Sequence, residues 1–216
     1  MKEVDANEAT ISFYQAADRR AMILLVIVVV LASLAAPGRA VAQSHFDAGA
    51  HVSVVRSTEF DTTDTGIGGR ISWYPIDLVG AEAEVTVYPA QFTRENGFSR
   101  SRIEGLFGVT MGPRFAHARP FAKLRPGFLA FRGQPVVCIL IFPPPLSCVL
   151  ASGRTLFVLD AGGGVELFPV GRTMIRAELG DRVIKYPGPS FRNGRATQQS
   201  FYSHDLRVSA GAGVRF

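Results

Sequence analysis

From Phe46 to the last residue the chain repeats one arrangement eight times: about ten residues in which apolar side chains alternate with polar ones or glycine. The stretches are FDAGAHVSV (46–54), GIGGRISWY (66–74), VGAEAEVTVY (79–88), RIEGLFGVTM (102–111), PFAKLRPGFLAF (120–131), LFVLDAGGGVELF (156–168), TMIRAELG (173–180) and DLRVSAGAGVRF (205–216). A period of two is the period of a strand, whose successive side chains point to opposite faces. Nothing of comparable length in 46–216 carries the 3.6-residue period of an amphipathic helix. The chain is therefore read as all-β, with one apolar and one polar face running through every strand.

The connections alternate as well. Those at about 55–64, 89–101, 132–153 and 186–200 are long and polar or irregular; those at 75–78, 112–119 and 169–172 are short, and Pro75, Pro113 and Pro169 sit in them. Proline at such positions costs no ladder bond. Strands of about ten residues, joined by short turns at one end and long loops at the other, have the grammar of a transmembrane barrel. Two places break the pattern. Asp181 lands on the apolar face if the alternation runs unbroken, so either a bulge near Gly180 turns it inward or it lies at headgroup level. Pro126 interrupts the fifth stretch and costs one ladder bond.

A soluble eight-stranded barrel has the same period with its faces exchanged. Three observations favour an apolar exterior. The polar face is rich in glycine (Gly66, Gly68, Gly80, Gly108, Gly127, Gly162, Gly164, Gly211, Gly213), as a crowded lumen requires. The same face carries Arg70, Arg102, Lys123, Arg125, Arg176, Arg207 and Arg215 against Asp47, Glu82, Glu84, Glu104, Asp160, Glu166, Glu178 and Asp205, close to the balance that buried charges need. Aromatic residues gather at strand ends: Phe46, Trp73 and Phe216 at one rim, and Phe128, Tyr186, Phe201 and Tyr202 toward the other.

The final strand resembles the C-terminal signal of bacterial outer-membrane barrel proteins, an alternating segment with terminal Phe (here Phe216) that the barrel-assembly machinery recognises. Residues 45–216 resemble the small eight-stranded barrels of OmpA/OmpX type. The resemblance implies an antiparallel, up-and-down, eight-stranded transmembrane β-barrel in the cell outer membrane. The last strand would close on the first, and outer-membrane lipid and lipopolysaccharide would be its surroundings.

Residues 1–42 read as an export signal. Arg19-Arg20 precede the apolar run AMILLVIVVVLASLAA (21–36), and Ala40-Val41-Ala42 forms a small-x-small site, placing cleavage after Ala42 and the barrel domain at 43–216. The competing reading, a membrane anchor, needs about 20 apolar residues. The start is either Met1 or Met22. The net charge of +5 does not argue for nucleic acid in an exported chain.

Function is thinly written. The inner charges either hold strand register as a polar plug or line a narrow pore; the small lumen favours the plug. The arginines Arg94, Arg100, Arg192 and Arg195 in the loops suit bidentate contacts to lipopolysaccharide phosphates. CILIFPPPLSC (138–148) is apolar, stiffened by three prolines, and bounded by Cys138 and Cys148. A disulfide closing a loop of that size contributes about 3 kcal/mol. Residues 132–153 then form either a rigid apolar knob that meets a surface partner or a lid over the barrel mouth. Ser203-His204-Asp205 raises a hydrolase, yet neighbours on one strand point to opposite faces. No phosphate loop, metal-ligand cluster or nucleotide fingerprint occurs, so no enzyme and no cofactor are expected. The reading is a structural or adhesive outer-membrane barrel acting through its loops, with a lipid A hydrolase or narrow channel as the alternatives.

Overall fold

The computed structural model describes residues 45–90, 93–94, 101–133, 146–151, 153–188, 190–192, 195–197 and 199–216. The alternating stretches all become strands: β1 Phe46–Ser57, β2 Thr62–Ile76, β3 Val79–Tyr88, β4 Arg102–Met111, β5 Ala118–Phe131, β6 Thr155–Leu167, β7 Thr173–Tyr186 and β8 Phe201–Arg215. Each pairs antiparallel with the next, and β8 pairs with β1 from Asp47↔Arg215 to Arg56↔Leu206, which closes the barrel. Closure removes the two free edges that an open sheet would expose. The final residue is held too, because the Phe216 amide donates to the Phe46 carbonyl at 2.9 Å.

Several strands run past their sequence-read limits at the long-loop end. The connection expected over 55–64 shrinks to the turn at 58–61, with Asp61 in the left-handed region (φ 47°). Strand β7 continues six residues beyond Gly180. Short pairings decorate the same rim: Thr93–Arg94 adds to β2, and Ser190–Arg192 pairs with Arg195–Thr197. The helix α1 (Leu146–Ala151) lies in the connection between β5 and β6.

The two breaks in the pattern resolve differently. The β7–β8 register is continuous from Val214↔Thr173 to Phe201↔Tyr186, so no bulge forms at Gly180 and Asp181 stays on the outer face. At Pro126 the β4–β5 register is interrupted between Leu106↔Gly127 and Val109↔Leu124, while the β5–β6 register runs through it. Gly108 sits in that gap; a Cβ there would lie 2.1 Å from the Leu124 carbonyl oxygen. The glycine lets the strands approach where proline has removed a donor.

Apolar residues cover the outside. Phe107 is 66 % exposed and Ile71 62 %, and Val85, Val109, Leu179, Leu206 and Val208 are exposed beside them. The buried set is polar and charged instead. That inversion is affordable only where the outer wall meets hydrocarbon rather than water, so the wall is a membrane-spanning one. At the short-turn rim Phe46 and Trp73 stack with centroids 6.5 Å apart, next to exposed Phe216. The opposite rim departs from expectation. Phe128 and Tyr202 face out, but Tyr186 is buried inside and stacks on Phe201 (5.3 Å). The alternation of β7 carries Tyr186 inward with Arg182 and Ile184.

Candidate functional site

The lumen is built by parity. Each strand sends every second side chain inward, and on all eight strands some of those side chains are charged. Arg70, Glu82, Glu84, Glu104, Lys123, Arg125, Glu166, Arg176 and Glu178 are all buried there. At its centre, Arg125 of β5 reaches four carboxylates on three strands: Glu84 at 2.9 Å, Glu178 at 2.9 Å, and Glu82 and Asp160 in shorter contacts. Lys123 bridges Glu178 (2.6 Å) and Asp160 (2.9 Å), and Arg70 reaches Glu178 at 3.3 Å. Arg207 pairs with Glu84, with Glu104 at 3.3 Å, and donates to Ser53 at 3.0 Å.

Toward the short-turn rim, Arg176 binds Glu82 (2.7 Å) and Glu166 (2.9 Å) and lies over the Phe121 ring at 4.1 Å. Arg119 joins Glu166 at 3.4 Å and covers Tyr74 at 4.4 Å, and Arg215 closes on Asp47 at 2.9 Å. Toward the long-loop rim, Arg182 links Glu104 (2.9 Å) to Asp205 (2.8 Å), and Arg102 pairs with Asp64. His51 shares a 2.9 Å hydrogen bond with Thr86.

Arg119, Arg182 and Asp64 belong to this lumen although the sequence-read segments leave them out. The signal was present: extending the alternation of the second, fifth and seventh segments places all three on the inner face. With them, the interior holds Arg70, Arg102, Arg119, Lys123, Arg125, Arg176, Arg182, Arg207 and Arg215 against Asp47, Asp64, Glu82, Glu84, Glu104, Asp160, Glu166, Glu178 and Asp205. Among the described residues the two sets are equal, so each of these charges can be compensated in place. Oxygens of Glu82, Glu84 and Glu178 lie within 4.8 Å of one another, a spacing a metal ion would accept. Here the Arg125 guanidinium reaches all three, so the charge they need is supplied by the chain.

Glycines make room for the larger inward rings. A Cβ on Gly80 would lie 2.5 Å from the Tyr74 ring, and one on Gly66 2.6 Å from Tyr88. Tyr74 then donates to Glu166 (3.2 Å), and Tyr88 to Glu104 (3.3 Å).

Above the charged storey the interior turns apolar. Leu106, Leu129, Phe131, Leu156, Val158, Ile184 and Tyr186 form a cluster that Leu146 and Leu150 of α1 complete, with Phe60 and Phe201 at its edge. Leu146 and Leu150 are four residues apart and so share one helix face. Leu146 and Leu150 therefore pack inside the barrel mouth, while 134–145, which holds most of the apolar stretch and its three prolines, lies outside the described residues. In the turn below Phe60, burial and neighbouring Asp205 raise the Glu59 carboxyl above the usual carboxylate range.

The remaining sequence candidates fall elsewhere. Residues 1–44, Cys138 and Arg100 lie outside the described residues. Cys148 is in α1 and Arg94 in the short pairing with β2, and Arg192 and Arg195 are register partners; only their backbones are described. The run Ser203-His204-Asp205 forms no relay. Ser203 points inward and donates to Asp205 (3.4 Å), whereas His204 points outward and pairs through Nδ1 with Asp181 Oδ2 at 2.7 Å.

No protein-family model matches the chain, and no curated protein matches it. Solved structures do. Neisserial surface protein A (NspA) superposes with a TM-score of 0.52 at 14% identity, covering 80% of this chain and 98% of its own. The N-terminal β-barrel domain of Pseudomonas aeruginosa OprF gives 0.46 at 11% identity (81% and 100% covered). Ail, the attachment invasion locus protein of Yersinia pestis, gives 0.43 at 14% identity (80% and 97%). The fold is that of the small eight-stranded outer-membrane β-barrels, and the apolar wall makes this chain a membrane-spanning barrel.

Proposed function

We propose that this barrel is a sealed outer-membrane protein that works at the cell surface through the loops of its long-loop rim, in adhesion or recognition, and conducts nothing. The observation that carries this reading is the filled lumen. Among the described residues, nine cations and nine carboxylates are cross-paired through its lower and middle levels, and Leu146 and Leu150 occupy its upper level. A porin leaves an aqueous channel that eight strands can scarcely accommodate. What such a barrel offers a partner is its outside and its connections.

In this reading, residues 1–42 are an export signal cleaved after Ala42, Phe216 and its strand are presented to the barrel-assembly machinery, and the long-loop rim is extracellular. Arg94, Arg100, Arg192 and Arg195 meet lipopolysaccharide phosphates, Cys138 and Cys148 tie the loop 132–153, and that loop meets the surface partner. The test pairs two measurements. Purified barrel in planar bilayers should give no single-channel current. Expression in a non-adherent host should raise attachment to host cells, and replacing residues 134–145 with a short Gly-Ser linker should abolish the gain. A steady current, or attachment unaffected by the loop, would overturn the reading.

A further inference from the structure

The outer face of β7 and β8 carries a polar pair at the head of a groove. Asp181 and His204 face outward from neighbouring strands and hold each other at 2.7 Å, with both side chains half or more exposed. Lys185 is opposite Tyr202, its Nζ 5.9 Å from the ring centre, so Lys185, His204 and Asp181 occupy successive levels of the β7–β8 outer face. Directly below, the wall is dented by a cavity of about 850 Å³. Ala161, Gly163, Ala177, Leu179, Leu206 and Asp181 are among the residues that line it.

Height fixes what this surface meets. His204 is twelve residues from Phe216, which with the strand rise and tilt places it roughly 30 Å above the short-turn rim. The apolar band of such a barrel is about 25 Å tall. The polar trio therefore lies at the outer headgroup level, and the groove beneath it lies in the outer leaflet. An acyl chain is the occupant an apolar groove finds there. A phosphate is the headgroup that suits an amine and an imidazole standing over it, with Asp181 orienting the imidazole through Nδ1 and leaving Nε2 without a partner among the described residues.

We propose that the β6–β7–β8 outer wall is a binding site for one phosphate-bearing lipid of the outer leaflet, with an acyl chain in the Ala161/Gly163/Ala177 groove and the phosphate on Lys185 and His204. The proposal rests on the membrane placement of the wall and adds a lipid site separate from the loop arginines. Asp181 is a positioning residue: it holds His204 and does not itself face the phosphate favourably.

The probe is bis-phosphorylated lipid A, with its dephosphorylated form as control, counted on the folded, detergent-purified barrel by native mass spectrometry. The wild type should retain one lipid A through delipidation and bind the dephosphorylated form more weakly. The K185Q/H204Q pair should weaken retention at least about tenfold, the loss of one charge-assisted contact. Ala177→Leu, which fills the groove without touching the charges, should do the same. Heat-modifiable gel mobility verifies that each variant is folded. Equal retention by all three proteins would overturn the site and leave the membrane reading intact. Failure of the wild type to insert into phosphatidylcholine vesicles would overturn both. Efficient cross-linking of Ala177→Cys between two copies in the membrane would assign the groove to self-association instead.

Discussion

At the residue scale, Arg125 concentrates the lumen's electrostatics. It is fully buried and bound to Glu82, Glu84, Asp160 and Glu178. Taking one partner from a buried pair leaves an uncompensated charge, which costs about 3–5 kcal/mol. Here four carboxylates would share the loss. Arg125→Met should therefore lower the barrel's unfolding free energy in urea by about that amount, and Arg125→Lys should recover only part of it because a point charge lacks the guanidinium fork. Gly80 tests packing instead of charge. Gly80→Ala would drive a methyl into the Tyr74 ring and should cost about 1–3 kcal/mol in the same assay, with Gly80→Ala/Tyr74→Ala recovering much of it. Glu59 gives a pH signature. Its carboxyl is raised in the folded state, so the neutral form favours the folded turn; stability contributed there is present at low pH and is lost as pH rises through the raised value. Glu59→Gln should remove that slope from the pH dependence of heat-modifiable mobility.

At the element scale, the six-residue helix Leu146–Ala151 is too short to be stable alone. Its place is held by Leu146 and Leu150 in the apolar storey of the lumen. Leu150→Ala should cost about 2–5 kcal/mol, as for other buried leucines, and Leu150→Asp should free the helix while leaving the charged storey closed. Protease cleavage in 134–151 on intact cells reads this directly, being slow in the wild type and fast in Leu150→Asp. The C-terminal strand makes the complementary point. Phe216 is exposed to the membrane but tied through its amide to Phe46. Its deletion should leave the purified barrel close to wild-type stability while reducing its yield in the outer membrane, measured by fractionation.

At the scale of the whole molecule, two immiscible environments have exchanged their usual places. Apolar side chains face outward and neutralised charge faces inward. A barrel so built should migrate faster unboiled than boiled in the outer-membrane fraction, because detergent does not undo a closed strand ladder. Among the described residues the inner charges balance, so they pair with one another across the lumen, which is the arrangement the proposed seal requires.

How much of this was legible depended on distance along the chain. Local alternation alone specified the strands, which face of each is apolar, the short and long connections, and the near balance of inner charge, because each is a property of residues two positions apart. Strand ends were not legible from the same pattern. Arg119, Arg182 and Asp64 lie beyond the alternating segments because strand continuation past a turn signal depends on a neighbour offering backbone partners, as β8 does for Asp181–Tyr186. Tyr186 and Phe201 looked like membrane aromatics until pairing phase turned them inward. The sequence by itself therefore determined eight strands, each with one apolar and one polar face, and a charge balance that favours placing the polar face inside. Only the tertiary structure decided that Arg125 joins three strands, that Leu146 and Leu150 cap the lumen, and that Asp181 finds His204. The Arg125 and Asp181 contacts join residues more than 20 positions apart through register across strands, and the cap depends on a helix seated against side chains from several strands.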